Sequence, residues 1–376
     1  MIKAWDADGH VSESEVTFSD KYWDPKLKDR RPTILETGPD GPLYWMIDTR
    51  SFPVRSGPYQ QAGFPLSKNG VAARVTPGIS PNDPVESAEM RSVKARLEQL
   101  DRENTALQVI YPTMFLSYPI TYDRDLAVAM MRAYNSWVAD LASQCPERLK
   151  WVTVIDPIDP QASVREIERG KKLGAVGVML LGVTGDVRVD DPPMEPIWAA
   201  ANDAGLCVTP HSFTSGYPGY RDLWDNPFIG RTASHPWGAM RAVTAFFGAG
   251  IMDRYPDIRY CILESGFGWL PFWAARMDDQ CEYMSYALPK NLARKPSEYM
   301  TDGRFFASVV IHEGEKMARM VTDFLGDGVL MYSSDYPHAE SRFPESTNKV
   351  LGWKSLGDQV MGKMLWDNAT KCFGKP

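Results

Sequence analysis

The chain has only five histidines, and imidazole is the side chain best suited to holding a metal or passing a proton near neutral pH. His10 lies two residues after Asp8 in Asp6-Ala7-Asp8-Gly9-His10. On an extended strand, residues two apart leave by the same face, so Asp8 and His10 present a carboxylate and an imidazole together. Asp6 shares that face, and taken alone the pair is a weak signal, since short acidic strand ends are common. His211 closes Cys207-Val208-Thr209-Pro210-His211, and Asp335 stands in Tyr332-Ser333-Ser334-Asp335-Tyr336-Pro337-His338. The mixed nitrogen and oxygen set Asp8, His10, His211 and Asp335 suits Zn²⁺, Mn²⁺ or Fe²⁺ better than Mg²⁺ or a thiolate-preferring metal. One divalent ion per chain is expected. The carboxylates of Asp8, Glu264 and Asp335, with His10, His211, His235 and His338, would also suffice for two.

These residues can act together only if the elements that carry them converge. Short runs rich in Val, Ile, Leu or aromatics, bounded by polar residues, Gly or Pro, predict strands at Ala4–His10, Leu107–Tyr111, Leu149–Ile155, Val176–Leu181, Leu206–His211, Ile258–Glu264, Phe305–Val309 and Val329–Ser333. Between them, apolar stripes predict helices at Met90–Arg102, Leu126–Ser143, Val164–Leu173, Glu195–Ala204, Trp237–Arg254, Gly268–Tyr286, Glu313–Phe324 and Lys354–Phe373. Strand followed by helix, eight times over, predicts a single (β/α)₈ TIM barrel across residues 1–376 rather than an open sheet. Every histidine then falls at or beyond a strand end, on the rim where such barrels assemble their active sites. Asp8 and His10 end the first strand, His211 the fifth and Glu264 the sixth. Asp335 follows the eighth, beside the first once the ring closes.

Residues 18–84 break the rhythm. They are rich in Pro, Gly and aromatics and show no clear periodicity, so they are read as a long insertion after the first strand. Such an insertion emerges on the catalytic rim, and Trp45 and Tyr59 are its expected substrate contacts; a packed cap without a substrate role is the alternative. Arg231 is a candidate for a substrate carboxylate.

Composition narrows the partners. A net charge of −7 offers no basic stripe for nucleic acid. No window reaches the ~18 continuous apolar residues of a membrane helix, and the start of the chain lacks the apolar segment of a secretory signal. Cys145, Cys207, Cys261, Cys281 and Cys372 are scattered and odd in number, as reduced thiols of a cytoplasmic protein are. The expected partner is a small molecule. Phe246, Phe247, Trp269, Phe272 and Trp273 could form the face of a homodimer or higher homo-oligomer.

Taken in order, several segments resemble one family. They are Asp6-Ala7-Asp8-Gly9-His10-Val11, Pro210-His211-Ser212 and Gly250-Ile251-Met252-Asp253-Arg254-Tyr255-Pro256. Leu263-Glu264-Ser265-Gly266-Phe267-Gly268-Trp269-Leu270-Pro271, Ser334-Asp335-Tyr336-Pro337-His338 and the closing Asn368-Ala369 complete the set. The chain is similar to the amidohydrolase-related proteins (amidohydrolase family 2), in the branch of aminocarboxymuconate-semialdehyde decarboxylase and the resorcylate-type decarboxylases. That resemblance implies a (β/α)₈ barrel with one catalytic divalent metal, held here by Asp8, His10, His211 and Asp335. It also exposes a departure. Decarboxylases of this branch carry a histidine after the sixth strand, in a His-Gly-Gly-Gly stretch, as acid/base, and here the position is Glu264. A carboxylate can move protons there, bind a metal, or serve as a structural acceptor. His235, where the long helix is expected to open, is the second candidate for proton transfer, and many relatives have glutamate where Gly238 stands. His338 is the candidate to hold Asp335, and His312 is read as structural.

The leading expectation is a metal-dependent hydrolase acting through an activated water on a small aromatic or apolar carbonyl or carboxylate substrate. Non-oxidative decarboxylation is the first alternative. A dinuclear non-haem iron oxygenase on the same carboxylate-rich site is the second. The ligand assignment predicts that His211→Ala strips most of the bound metal and leaves the fold intact, whereas His312→Ala keeps full metal content. Elemental analysis of both purified variants decides it, and a His211→Ala chain that retains its metal would move the site elsewhere.

Overall fold

In the computed structural model, which describes residues 3–36, 43–53, 84–117, 120–181, 187–211, 227–289, 292, 294–338 and 341–376, the chain begins with strand β1 (Ala4–Val11). Three short strands follow, β2 (Thr33–Glu36), β3 (Leu43–Ile47) and β4 (Arg50–Pro53). The remaining strands are β5 (Thr105–Pro112), β6 (Leu149–Val154), β7 (Gly177–Leu181), β8 (Cys207–His211), β9 (Arg259–Ile262), β10 (Phe305–Ser308) and β11 (Leu330–Met331). With β1 they form an eight-stranded parallel sheet of order β1-β5-β6-β7-β8-β9-β10-β11. Both faces of such a sheet are covered, which is why its strands read as nearly unbroken apolar runs.

The two ends of the sheet meet. Ala7 N–H donates to the Tyr332 carbonyl at 2.9 Å, Asp335 N–H to the Asp8 carbonyl at 3.0 Å, and His10 N–H to the Tyr336 carbonyl at 2.7 Å. These bonds join β1 to the chain beyond β11 and close a (β/α)₈ barrel. The fully buried Asp6 reinforces the seam, accepting from Gln108 Nε2 (2.8 Å), Ser334 N–H (2.9 Å) and the Ser334 hydroxyl (2.6 Å). Gln108 reaches Asp6 across Gly9: a Cβ built on Gly9 would lie 2.2 Å from Gln108 Nε2.

The expected helices are present at Val93–Arg102, Arg124–Ala142, Pro160–Lys172, Glu195–Ala204, Leu270–Tyr283 and Gly314–Leu325. Ser92, Asp123 and Asp159 cap three of them through the N–H groups of Ala95, Leu126 and Ala162. Three expectations need correction. The helix expected at Trp237–Arg254 starts at Pro227 and stops at Gly248; Gly250, at φ +68, separates it from a turn at Ile251–Arg254. His235 therefore lies inside this helix, and Pro236 is an internal proline rather than an opening one. The helix expected at Lys354–Phe373 is a series of short turns, ending in a π-helical turn (Lys363–Asp367) and Asn368–Phe373. There Asn368 Nδ2 donates to the Leu330 and Asp327 carbonyls, and Trp366 meets Trp5 at 5.7 Å, so the closing Asn368-Ala369 seals the barrel floor.

The described part of the insertion is more regular than its sequence suggests. β2, β3 and β4 form an antiparallel sheet, with Ile47 paired to Arg50 across the Asp48-Thr49 turn and Asp48 at φ +50. Strands of four or five residues are too short for alternation to stand out among the surrounding Pro and Gly. Arg30 ties this sheet to the barrel, pairing with Asp48 at 2.9 Å and with Asp123 at 3.0 Å. Among the described residues no helix is long and apolar enough to cross a membrane. Phe246 and Phe247, expected on an oligomer face, are buried, Phe246 stacking on Tyr260 at 3.9 Å; of that set only Phe272 is well exposed.

Since Gly9 leaves room for Gln108 to reach Asp6, Gly9→Ala should destabilise the barrel by about 1–3 kcal/mol, the usual cost of overpacking. A shift in the midpoint of urea unfolding measures it, and an unchanged midpoint would show that Gln108 can move aside.

Candidate metal centre

Five side chains converge at the C-terminal mouth of the barrel, each delivered by a strand end. Asp8 and His10 leave the same face of β1, His211 ends β8, Glu264 lies just past β9, and Asp335 follows β11. Asp8 Oδ1 is 3.3 Å from His10 Nε2 and 3.5 Å from His211 Nε2. Asp335 Oδ1 is 3.5 Å from His10 Nε2, and Glu264 Oε2 is 3.6 Å from His211 Nε2 and 3.9 Å from His10 Nε2. The four expected ligands thus stand together, and the glutamate of the sixth barrel strand stands with them. Asp6, on the same face, is committed to the seam.

The backbone is bent to achieve this. Glu264 has φ +45 and Asp335 has φ +59, both in the left-handed region that non-glycine residues rarely occupy. Such conformations persist where the surroundings enforce them, commonly at functional sites.

The donor set fits a cation. His10 Nδ1 lies 2.8 Å from the Pro112 carbonyl, which can only accept, so Nδ1 carries the hydrogen and Nε2 turns its lone pair toward the barrel axis. Asp8 Oδ1, His10 Nε2, His211 Nε2 and Asp335 Oδ2 are buried and have no hydrogen-bond partner among the described residues. Buried polar atoms are almost always satisfied, and lone pairs converging within a few ångströms are satisfied by a positive ion. Two overlapping groups have metal-ligand spacing among the described residues: Asp8, His10 and His211, and His10, Glu264, Asp335 and His338.

The charges sort themselves accordingly. Burial alone would raise the Asp8 carboxyl, but His211 and His10 outweigh it and hold it below the usual range. Burial lowers His211, yet Asp8 and then Glu264 and Asp335 carry it up to about 8. The carboxylates of Glu264 and Asp335 share one pocket. Burial and the charge of Glu264 push Asp335 well up, while Glu264, despite burial, is held well down by His235, His211 and His338.

Around this core, His338 stands against Asp335, the residue it is expected to hold. Its Nδ1 is 2.8 Å from Asp335 Oδ1 and its Nε2 is 2.9 Å from Thr113 Oγ1, and its ring stacks on His10 at 3.9 Å. Thr113 is set in turn by Glu13, whose carboxylate accepts from the N–H groups of Thr113 (3.1 Å) and Met114 (2.8 Å). The buried Arg96 donates to the His10 carbonyl and lies 4.8 Å over the ring of Tyr336. None of Glu13, Arg96 and Thr113 stands out in the sequence; they lie on separate elements, and only Glu13, three residues past His10, is close to a ligand along the chain.

His235 Nε2 is 3.5 Å from Glu264 Oε1, the oxygen on the other side of that carboxylate from His10 and His211. His312 is exposed and accepts from Arg342, away from the centre. Trp45 is 3% exposed, with its ring edge-on to Phe18 at 5.6 Å, inside the packing of the insertion. Tyr59 lies outside the described residues, as does the side chain of Arg231, whose backbone is in the helix Pro227–Gly248.

Residues 94–375 match the family described as amidohydrolase. No curated protein sequence matches the chain. Among solved structures, the 5-carboxyvanillate decarboxylase of Sphingomonas paucimobilis superposes with a TM-score of 0.73 at 19% identity, covering 100% of both chains. An amidohydrolase of Mycobacterium avium subsp. paratuberculosis K-10 gives 0.79 at 17% identity, covering 100% of this chain and 98% of its own. A dihydroxybenzoic acid decarboxylase of Polaromonas sp. JS666, with bound manganese and the inhibitor 2-nitroresorcinol, gives 0.68 at 16% identity, covering 99% and 97%. At these identities the likeness establishes the barrel.

His211 must lose a proton before it can bind a metal, and Asp8 raises its pKa to about 8. Affinity for added Mn²⁺ should therefore strengthen by about tenfold per pH unit up to about 8 and level off above it, for one competing proton. Calorimetric titrations between pH 6 and 9 would show this slope; a flat profile would put His211 outside the ligand set.

Proposed function

The chain belongs to the amidohydrolase family, and on that premise we propose that it is a metal-dependent non-oxidative decarboxylase of a small aromatic acid. The observation that carries this reading is the pairing of His235 with Glu264 at 3.5 Å, beside the metal-binding cluster and at the barrel mouth. Support comes also from structures of the same fold that are named as decarboxylases of 5-carboxyvanillate and of 2,6-dihydroxybenzoate, and from manganese in three decarboxylase structures of this fold. A hydrolase, the first expectation, draws less support.

Asp8, His10, His211 and Asp335 would hold the ion, with Mn²⁺ favoured over Zn²⁺ or Fe²⁺ by those relatives. When bound, the ion supplies the positive charge that draws a substrate carboxylate and a neighbouring oxygen to the mouth of the barrel. Glu264 and His235 then hold and deliver one proton to the ring carbon that bears the carboxylate. As the carbon–carbon bond breaks, its electron pair returns to the ring, so ArCOO⁻ and H⁺ become ArH and CO₂. Asp335, steadied by His338, keeps its place while charge moves. Arg231 and Tyr59 are the proposed contacts for the rest of the substrate, whereas Trp45, buried in the packing of the insertion, is not.

A second reading rests on Glu264 itself. Its Oε2 faces His10 and His211, and its Oε1 faces His235. A carboxylate aimed both ways could bridge two ions, as a dinuclear iron oxygenase would need.

The Mn²⁺-loaded chain, given 2,6-dihydroxybenzoate or 5-carboxyvanillate in D₂O, should release CO₂ and place one deuteron on the carbon that lost it. Glu264→Gln should keep its manganese and lower turnover by about 10²–10⁴-fold, the usual contribution of a positioned proton donor. Hydrolysis of an ester or amide analogue without CO₂ release would return the hydrolytic reading. Loss of one of two bound metals in Glu264→Gln would favour the dinuclear one.

A further inference from the structure

Glu264 occupies a backbone conformation, φ +45, that an L-residue keeps only when its neighbours hold it there. Its own N–H donates to Ser308 Oγ at 3.0 Å, which fixes the start of the turn on β10. Inside the turn, the Ser265 hydroxyl donates to the Leu263 carbonyl at 2.6 Å, and Trp269 Nε1 donates to the Ser265 carbonyl at 3.0 Å. The far side is held by one residue from another element. Glu313, at the end of the short 3-10 turn Ile311–Glu313, accepts from Phe267 N–H at 3.0 Å and Gly268 N–H at 2.6 Å, both on Oε2.

The turn is shaped to admit that carboxylate. A Cβ on Gly266, which has φ +73, would lie 2.3 Å from Glu313 Oε1, and one on Gly268 would lie 3.1 Å from Oε2. The two glycines of Glu264-Ser265-Gly266-Phe267-Gly268 therefore clear the space that Glu313 fills. A carboxylate that spends an oxygen on two N–H donors of a neighbouring loop makes charge-assisted bonds stronger than neutral ones, and it leaves the turn less freedom to relax toward an ordinary conformation.

We propose that Glu313 is a positioning residue: it anchors the Ser265–Gly268 turn and so keeps the Glu264 carboxylate aimed at the metal centre, without touching metal or substrate itself. The proposal rests on Glu264 facing the metal, and needs neither decarboxylation nor hydrolysis to be correct.

Co²⁺ is the probe, because its visible absorption reports the ligand field. Glu264 places a negative charge beside the ion whether or not it binds it, so Glu313→Ala should weaken Co²⁺ binding by up to about tenfold and should shift the Co²⁺ spectrum in the same direction as Glu264→Ala. Glu313→Gln, which keeps an oxygen acceptor, should restore most of both. In the double variant with Glu264→Ala, removing Glu313 should cost little further affinity, since it acts through a side chain already gone. Full additivity of the two losses would overturn the proposal. So would a Glu313→Ala chain whose melting temperature falls while Co²⁺ affinity and spectrum stay at wild type. If Glu313→Ala does not fold, Glu313→Asp, too short to reach both N–H groups, carries the same test. A Glu264→Ala chain with an unaltered Co²⁺ spectrum would instead sink the premise about Glu264, a failure distinct from any result of the decarboxylation assay.

Discussion

The seam between β1 and the chain beyond β11 carries the demands of the whole site. Asp8 and His10 arrive on one side of it and Asp335 on the other, separated by most of the sequence, and their relative placement is set by backbone bonds across the join. Asp6 makes that join costly to open. Burial pushes its carboxyl up, and donors from Gln108, Ser334 and Asp8 oppose that push. Removing one of those donors would leave a buried carboxylate short of partners, which is far worse than never having buried it. The seam is therefore coupled to ligand placement: a shift between the strands moves Asp335 relative to His10 and weakens the bonds to Asp6 together.

The second constraint is crowding of like charge. Asp8, Glu264 and Asp335 place carboxylate oxygens around two imidazoles in a largely buried space. The chain's own charges resolve this unevenly, holding Glu264 ionised and pushing Asp335 toward its neutral form. A divalent cation would remove the conflict that drives this split, because its charge favours ionisation of every oxygen that faces it. Two members of the cluster are steadied by neighbours: the Pro112 carbonyl orients His10, whose own carbonyl Arg96 holds, and His338 contacts Asp335. Such supporting contacts decide whether a set of ligands is a site or a coincidence.

The glutamate after the sixth barrel strand is where the chain parts from the histidine pattern of the decarboxylases it resembles. A histidine there offers one nitrogen to the reaction while its other is bonded away. A carboxylate offers two equivalent oxygens, and in this barrel they face different partners: His10 and His211 on one side, His235 on the other. On the proposed reading the proton route and the metal cluster share one side chain, so its orientation matters more than that of a free-standing acid/base, and its left-handed backbone goes with that orientation.

Much of this is legible in the amino-acid sequence alone. Eight apolar runs separated by helical stripes name the barrel, and a D-x-H pair with isolated His211 and Asp335 at strand ends names four side chains that meet at its mouth, because period-two alternation and strand order are local facts that closure turns into proximity. The insertion's small sheet is not legible, since strands of four and five residues are decided by partners rather than by pattern. Nor is the place of His235, because a proline next to it reads as a helix start, whereas the helix begins eight residues earlier, at Pro227. Asp6 and Asp8 are indistinguishable as residues on one face of one strand. What separates the seam carboxylate from the metal-facing one is the arrival of Gln108 and Ser334 at the first and of His211 at the second, and contacts between residues hundreds of positions apart exist only once the ring has closed.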